Sequence, residues 1–124
     1  MYVIMHDGRN GCNENRTWPV CSKEPGHTSQ GLCDMSGSLW EWVQDEWHPN
    51  YKGAPNDGSG WCQELDCPAS EFNESRRVIR GGSWYTRLDD IHKLQVSFRS
   101  STGPTIQFQD LGGRLARSLP SINP

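Results

Sequence analysis

A chain of 124 residues with a net charge of −3 and only 33% hydrophobic residues has room for one modest core. Thirteen glycines, eight prolines and six tryptophans describe a loop-rich chain with large aromatic anchors rather than layers of long helices. Arg76, Arg77 and Arg80 form the one local basic cluster, with Glu71 and Glu74 beside it, which argues against nucleic-acid binding. No apolar run approaches the ~18 residues of a membrane helix.

Residues 1–31 show little periodicity. Gly8-Arg9-Asn10-Gly11 and Pro25-Gly26 read as turns, and Thr17-Trp18-Pro19-Val20 as a short extended piece. The segment 38–47 is the best helix candidate. Ser38 and Glu41 match a capping box, Trp40, Val43 and Trp47 could share one face, and Pro49 ends it. Residues 48–75 read as a long loop, with Trp61 and a Cys62/Cys67 pair as tethers.

Residues 76–85 look like a strand broken by the Gly81-Gly82 kink. Leu94 to Arg99 alternates and predicts a strand with Leu94, Val96 and Phe98 on one face; Leu111 to Arg117 is a shorter candidate.

The five cysteines, Cys12, Cys21, Cys33, Cys62 and Cys67, leave one unpaired within the chain whatever happens. With no Cys-x-x-Cys pair, zinc held by Cys62 and Cys67 with Cys12 or Cys21 and one of His27, His48 or His92 is disfavoured. Scattered, mostly reduced thiols are the preferred reading. Met1 to Met5 is too short for a signal-peptide core, so the chain as written reads as cytoplasmic, with export left open.

Three segments in order carry a family signature: Gly31-Leu32-Cys33-Asp34-Met35-Ser36-Gly37-Ser38-Leu39-Trp40-Glu41-Trp42, then Arg77-Val78-Ile79-Arg80-Gly81-Gly82-Ser83-Trp84, then Leu111-Gly112-Gly113-Arg114-Leu115-Ala116-Arg117. Together they resemble the formylglycine-generating-enzyme, or sulfatase-modifying-factor, family over about residues 17–117. The resemblance implies an α+β, reduced C-type-lectin-like fold, loop-rich, with few short helices and short antiparallel strands. It implies one truncated domain over residues 1–124, matching the C-terminal portion of the family domain. Strand edges or apolar surface left uncovered by the missing portion would favour a homo-oligomer.

The resemblance also maps a calcium loop onto Asp34 (side chain), Gly37 and Leu39 (carbonyls) and Glu41 (carboxylate). Oxygen donors of this kind suit a hard cation. The residues alone allow a plainer reading, in which Glu41 completes the capping box and Asp34 closes an Asx turn. The family's two copper-binding cysteines match Thr86 and Ile91, so no copper is expected.

The implied function is a non-catalytic binding module with Trp84, Tyr85, Arg87 and Arg99 as candidate ligand contacts, taking a protein or small-molecule ligand, with neither nucleic acid nor membrane as partner. The alternative is an enzyme of the family, oxidoreductase-like, that uses other residues or is completed by a partner subunit. A pocket lined by Thr86, Asp89, His92 and Arg99 would favour it. Arg80, Arg99 and Arg114 are expected to bind carbonyls or stack on tryptophan, and Gly81-Gly82 to pass close to Trp40 or Trp42.

Overall fold

The computed structural model describes residues 2–62 and 76–116. Cys67, Glu71, Glu74 and Arg117 therefore lie outside the described residues. Within them the chain builds one small mixed sheet from β1 (Trp40–Glu46), β2 (Arg77–Arg80), β3 (Ser100–Thr102) and β4 (Leu111–Gly112). The strand order is β3-β2-β1-β4. β2 pairs antiparallel with β1 and β3, and β4 runs parallel to β1. The described helices are two 3-10 segments, Glu24–Gly26 and Leu88–Leu94.

The core sits at β2 and the N-terminal segment. Val78 and Ile79 are neighbours on β2, and both are buried along with Ile4, Met5 and Trp84. Successive strand residues point to opposite faces, so both faces of the sheet are covered at β2. Each such aliphatic side chain contributes about 1.5–3 kcal/mol on burial. The N-terminal segment is stitched in from two sides. Ser38 N–H donates to Ile4 O at 2.9 Å, while His6 N–H donates to Thr86 O at 2.9 Å and Gly11 N–H to Trp84 O at 3.1 Å. The remaining tryptophans are half-buried. The expected aromatic core is instead mostly aliphatic, with Trp84 as its single tryptophan.

The helix expected over 38–47 is strand β1. Two neighbours on the sheet decide it: Glu41 faces Arg80 and Trp42 faces Ile79 on one side, and Trp40 faces Leu111 on the other. Ser38 has φ +62, not the extended backbone of an N-cap. Between Trp42 and Glu46 the register shifts. The Gln44 carbonyl there takes a hydrogen bond from Arg77 Nη1 at 2.9 Å, so a side chain replaces the lost ladder bond.

The strand expected over Leu94 to Arg99 is also corrected. Its first residue ends a 3-10 segment, turns follow, and the strand begins at Ser100. Arg80 Nη1 donates to Val96 O at 2.8 Å and to Phe98 O at 3.3 Å. Those carbonyls are satisfied by a guanidinium, which removes the need for a strand partner.

The Gly81-Gly82 kink falls where expected, directly after β2. Its neighbours are not tryptophans. A Cβ on Gly82, at φ +69, would sit 2.6 Å from Leu94 Cδ2 and 3.0 Å from Thr86 Oγ1.

The thiol reading changes too. Cys21 and Cys33 are joined in a disulfide with Cα atoms 5.1 Å apart, and Cys62 is disulfide-bonded as well. Among the described residues no helix is long and apolar enough to cross a membrane.

Candidate functional site

The segment leading into β1 is shaped by a close backbone approach. Gly37, at φ +73, donates its N–H to Gly81 O at 2.7 Å. A Cβ at Gly37 would lie 2.3 Å from Ile4 O, so only glycine fits without displacing the N-terminal segment. This contact carries the chain from Asp34 round to Leu39 and Glu41.

At the start of β1, Arg114 gathers several of the predicted calcium residues. Its Nε and Nη2 donate to the two Glu41 carboxylate oxygens at 2.6 and 2.5 Å. Its Nη1 and Nη2 also donate to the carbonyls of Cys33 and Asp34, each at 3.1 Å. The hydrogen bond to Glu41 is the main reason the Arg114 pKa is raised, against a smaller opposing effect of burial. The Asp34 carboxylate faces elsewhere and accepts the Cys21 N–H at 2.7 Å. It therefore makes a long-range bond rather than a local Asx turn. Asp34, Leu39, Glu41 and Arg114 line one cavity of about 230 Å³, and Gly37 stands beside it in sequence without lining it.

The other four predicted residues divide. Trp84 is buried at 4% exposure, its ring centroid 3.9 Å from that of Tyr85. Its Nε1 finds no acceptor among the described residues. Tyr85 is 39% exposed, and its hydroxyl accepts from Gln109 Nε2 at 3.1 Å. Arg87 is exposed beside Asp89 at 3.3 Å. Arg99 makes its ring contacts elsewhere, 4.1 Å from the Tyr51 ring and 4.9 Å from the Trp47 ring.

That second cluster is larger than the sequence suggests. His48 stacks on Trp61 with centroids 3.7 Å apart, and Tyr51 lies 6.4 Å from Trp61. Arg80 Nη2 donates to the Tyr51 hydroxyl at 3.0 Å. Tyr51 and His48 carried no motif. Their signal was only the aromatic density of the loop around the expected anchor Trp61.

Thr86 and Ile91 have opposite environments. Thr86 is buried, and its Oγ1 accepts the Ser83 N–H at 2.9 Å. Ile91 is 53% exposed. His92 packs edge-on against Phe98, at 5.3 Å between centroids, and Asp89 pairs with Arg87. Thr86, Asp89, His92 and Arg99 thus have separate partners.

The sulfatase-modifying factor enzyme 1-like domain model matches residues 6–119. The chain belongs to that family. It is 33% identical over 101 residues to the formylglycine-generating enzyme of Streptomyces coelicolor, covering 81% of this chain and 29% of that protein. It is also 29% identical over 89 residues to serine/threonine-protein kinase pkn1 of Chlamydia pneumoniae, covering 72% of this chain and 13% of that protein. Among solved structures it is similar to Treponema denticola variable protein 1, with TM-score 0.59 and 28% identity over 90% of this chain and 34% of the other. The family member described here thus spans under a third of the curated relatives it matches. The match begins at residue 6, upstream of residue 17, where His6 bridges to Arg87 beside the buried Ile4 and Met5.

Proposed function

We propose that this family member is a non-catalytic recognition module on a reduced C-type-lectin-like fold. The chemistry at positions 86 and 91 carries the reading. A soft cuprous ion needs thiolates. Thr86 offers a buried hydroxyl already engaged by Ser83, and Ile91 an exposed alkyl group. Recognition is supported by the pairing of a buried Trp84 with an outward Tyr85 and Arg87, a rigid aromatic base under groups suited to binding. The test is incubation with cuprous ion and a cysteine-containing peptide. No aldehyde above the copper-only background is expected; aldehyde formed by this chain overturns the reading. A ligand selected on the wild-type chain from a peptide or glycan array should lose at least about tenfold affinity in the Tyr85→Ala/Arg87→Ala double variant.

Calcium enters the proposal as a competitor. Arg114 already holds both Glu41 oxygens and the Asp34 carbonyl. The residues fit a calcium ion only if Arg114 swings away, and the side-chain oxygen of Asp34 is engaged by Cys21. Calorimetric titration should therefore show tighter calcium binding in Arg114→Gln than in wild type. Equal affinity in both removes Arg114 as the competitor, and no binding in either removes calcium from the reading. We also propose self-association. β3 and β4 are short edges, so exposed apolar side chains such as Val20, Val96 and Phe108 are the better surface for it. A monomer by light scattering at high protein concentration ends that part.

A cytoplasmic location is compatible with this module only with the Cys21–Cys33 bond and the Cys62 disulfide open, because cytosolic thiols are kept reduced.

A further inference from the structure

We propose that Cys21, Cys33 and His27 form a redox-gated site for a thiophilic divalent cation of the zinc type, available when the Cys21–Cys33 disulfide is reduced. The inference stands apart from the recognition reading and borders the Glu41 corner, whose Asp34 and Arg114 hold the two ends of the loop. It starts from convergence: one donor atom from each of the three residues lies within 4.8 Å of the other two. In a tetrahedral zinc site with bonds of about 2.3 Å to sulfur and about 2.0–2.1 Å to nitrogen, donor atoms stand roughly 3.4–3.8 Å apart. The closed disulfide brings its sulfurs nearer than that, so reduction must let them part by a small amount only.

The loop that carries the three residues has its own internal frame. Gly26 N–H donates to Lys23 O at 2.8 Å, His27 N–H to Glu24 O at 3.0 Å, and Thr28 N–H to Leu32 O at 2.8 Å. Leu32 N–H donates to Thr28 Oγ1 at 3.1 Å. At its two ends, Asp34 Oδ2 accepts the Cys21 N–H at 2.7 Å and Arg114 holds the Cys33 carbonyl at 3.1 Å. None of these bonds uses a sulfur atom. Opening the disulfide therefore leaves two sulfurs and an imidazole facing one another.

His27 has a second-sphere partner of the kind a ligating histidine uses. Its Nε2 is 3.3 Å from Cys21 O; in the tautomer with the proton on Nε2 it donates there, and Nδ1 is the nitrogen that offers a lone pair to the ion. Cys21 is exposed, which gives the ion a way in and leaves the fourth position to water. Three protein ligands with one open position is a known zinc arrangement.

The chemistry balances with one named co-reactant. A dithiol gives two electrons and two protons to the disulfide, which becomes two thiols while the dithiol becomes a cyclic disulfide. Zinc then binds Cys21 and Cys33 as thiolates and His27 as neutral imidazole, releasing two protons. Re-oxidation by a disulfide or peroxide oxidant ejects the ion. The plainer alternative is a structural disulfide with a histidine nearby by chance. It predicts no metal affinity in either state.

The test uses the full chain, reduced with a phosphine that does not compete for metal, and titrated with cobalt(II) as an optical probe and then with zinc. The expected result is one ion per chain in the reduced protein, with thiolate-to-cobalt charge transfer and tetrahedral visible bands, and none in the oxidised protein. His27→Gln should weaken binding at least about tenfold, and Cys33→Ser should remove most of the charge-transfer intensity. Cys62→Ser/Cys67→Ser should bind as wild type does. Because Cys33→Ser also removes half of the disulfide and with it a constraint on folding, alkylation of the reduced wild type followed by mass spectrometry gives a second readout: zinc should protect Cys21 and Cys33 selectively. Binding that ignores His27→Gln, binding lost with the Cys62/Cys67 pair, unprotected Cys21 and Cys33, or no binding at all each overturns the proposal.

Discussion

The two ends of β1 are closed by arginines that work in different ways. At the Trp40–Glu41 end, Arg114 meets Glu41 through two charge-assisted hydrogen bonds and takes two carbonyls besides. At the Glu46 end, Arg99 lies over the rings of Trp47 and Tyr51. The first contact is directional: removing the guanidinium leaves oxygens without donors. The second is diffuse, and removing it leaves Tyr51 still stacked on Trp61, and Trp61 on His48. The first end should therefore be the brittle one, and the second the tolerant one.

The sharpest way to break the brittle end is through the backbone beneath it. Gly37→Ala places a Cβ 2.3 Å from Ile4 O at φ +73, so strain and displacement act together. A loss of about 3 kcal/mol is expected from urea unfolding midpoints. A loss under about 1 kcal/mol would mean that the N-terminal segment gives way freely, against its place in the core. Next in size is Arg114→Ala. Charge-assisted hydrogen bonds and a partly buried partner suggest about 2 kcal/mol, reduced from the fully buried case because both side chains reach solvent. Raising salt should narrow this difference, since part of it is screened.

How much of this could be read in the sequence differs between the two ends. The Arg-Gly-Gly segment gave β2 and its kink, and the recurring arginines were expected to bind carbonyls or stack, as Arg80, Arg99 and Arg114 do. Trp40 to Glu46 reads as helix in the sequence because a capping box and a helical spacing are local signals, while its strand state comes from two distant neighbours, Ile79 and Leu111. Glu41 could complete a cap or meet an arginine 73 residues away, and spacing alone does not decide. Ile4 and Met5 give no signal in the sequence because a five-residue apolar piece carries no period, although burial of these two residues makes them core. The Cys21–Cys33–His27 convergence was invisible for a related reason: the turns at residues 24–32, not any metal-ligand motif, fold the loop back on itself.

The tolerant end makes a smaller prediction. Arg99→Ala removes two cation–π contacts, one at the half-buried Trp47 ring and one at the exposed Tyr51 ring, each of about 0.5–1 kcal/mol. A total near 1 kcal/mol is expected from the same urea titrations, with less salt dependence than Arg114→Ala. If Arg99→Ala costs more than Arg114→Ala, the contrast between the ends is reversed. Arg99→Lys should recover little, since an ammonium lacks the flat face that stacks.

The smallest effect concerns pH. The Arg114 pKa is raised, so its contribution is fully present below the ordinary arginine range and fades only above it. Across the range where the protein is handled, loss of the Arg114 proton contributes no slope. In the aromatic loop, Asp57 has its pKa lowered from 3.8, first by the Ser59 hydroxyl at 2.6 Å and then by the Ser59 N–H at 2.9 Å. A depressed carboxylate stabilises the fold above its unfolded value, and that contribution disappears as pH falls through the lower folded value. The window is thus below about pH 4, near the unfolded aspartate value. Asp57→Asn keeps an acceptor but cannot titrate. The difference in thermal midpoint between wild type and Asp57→Asn should be constant above that window and shrink below it. A constant difference down to the acid limit would mean that the Asp57–Ser59 turn forms equally well in the unfolded chain. The loop would then owe its shape to the stacked rings alone.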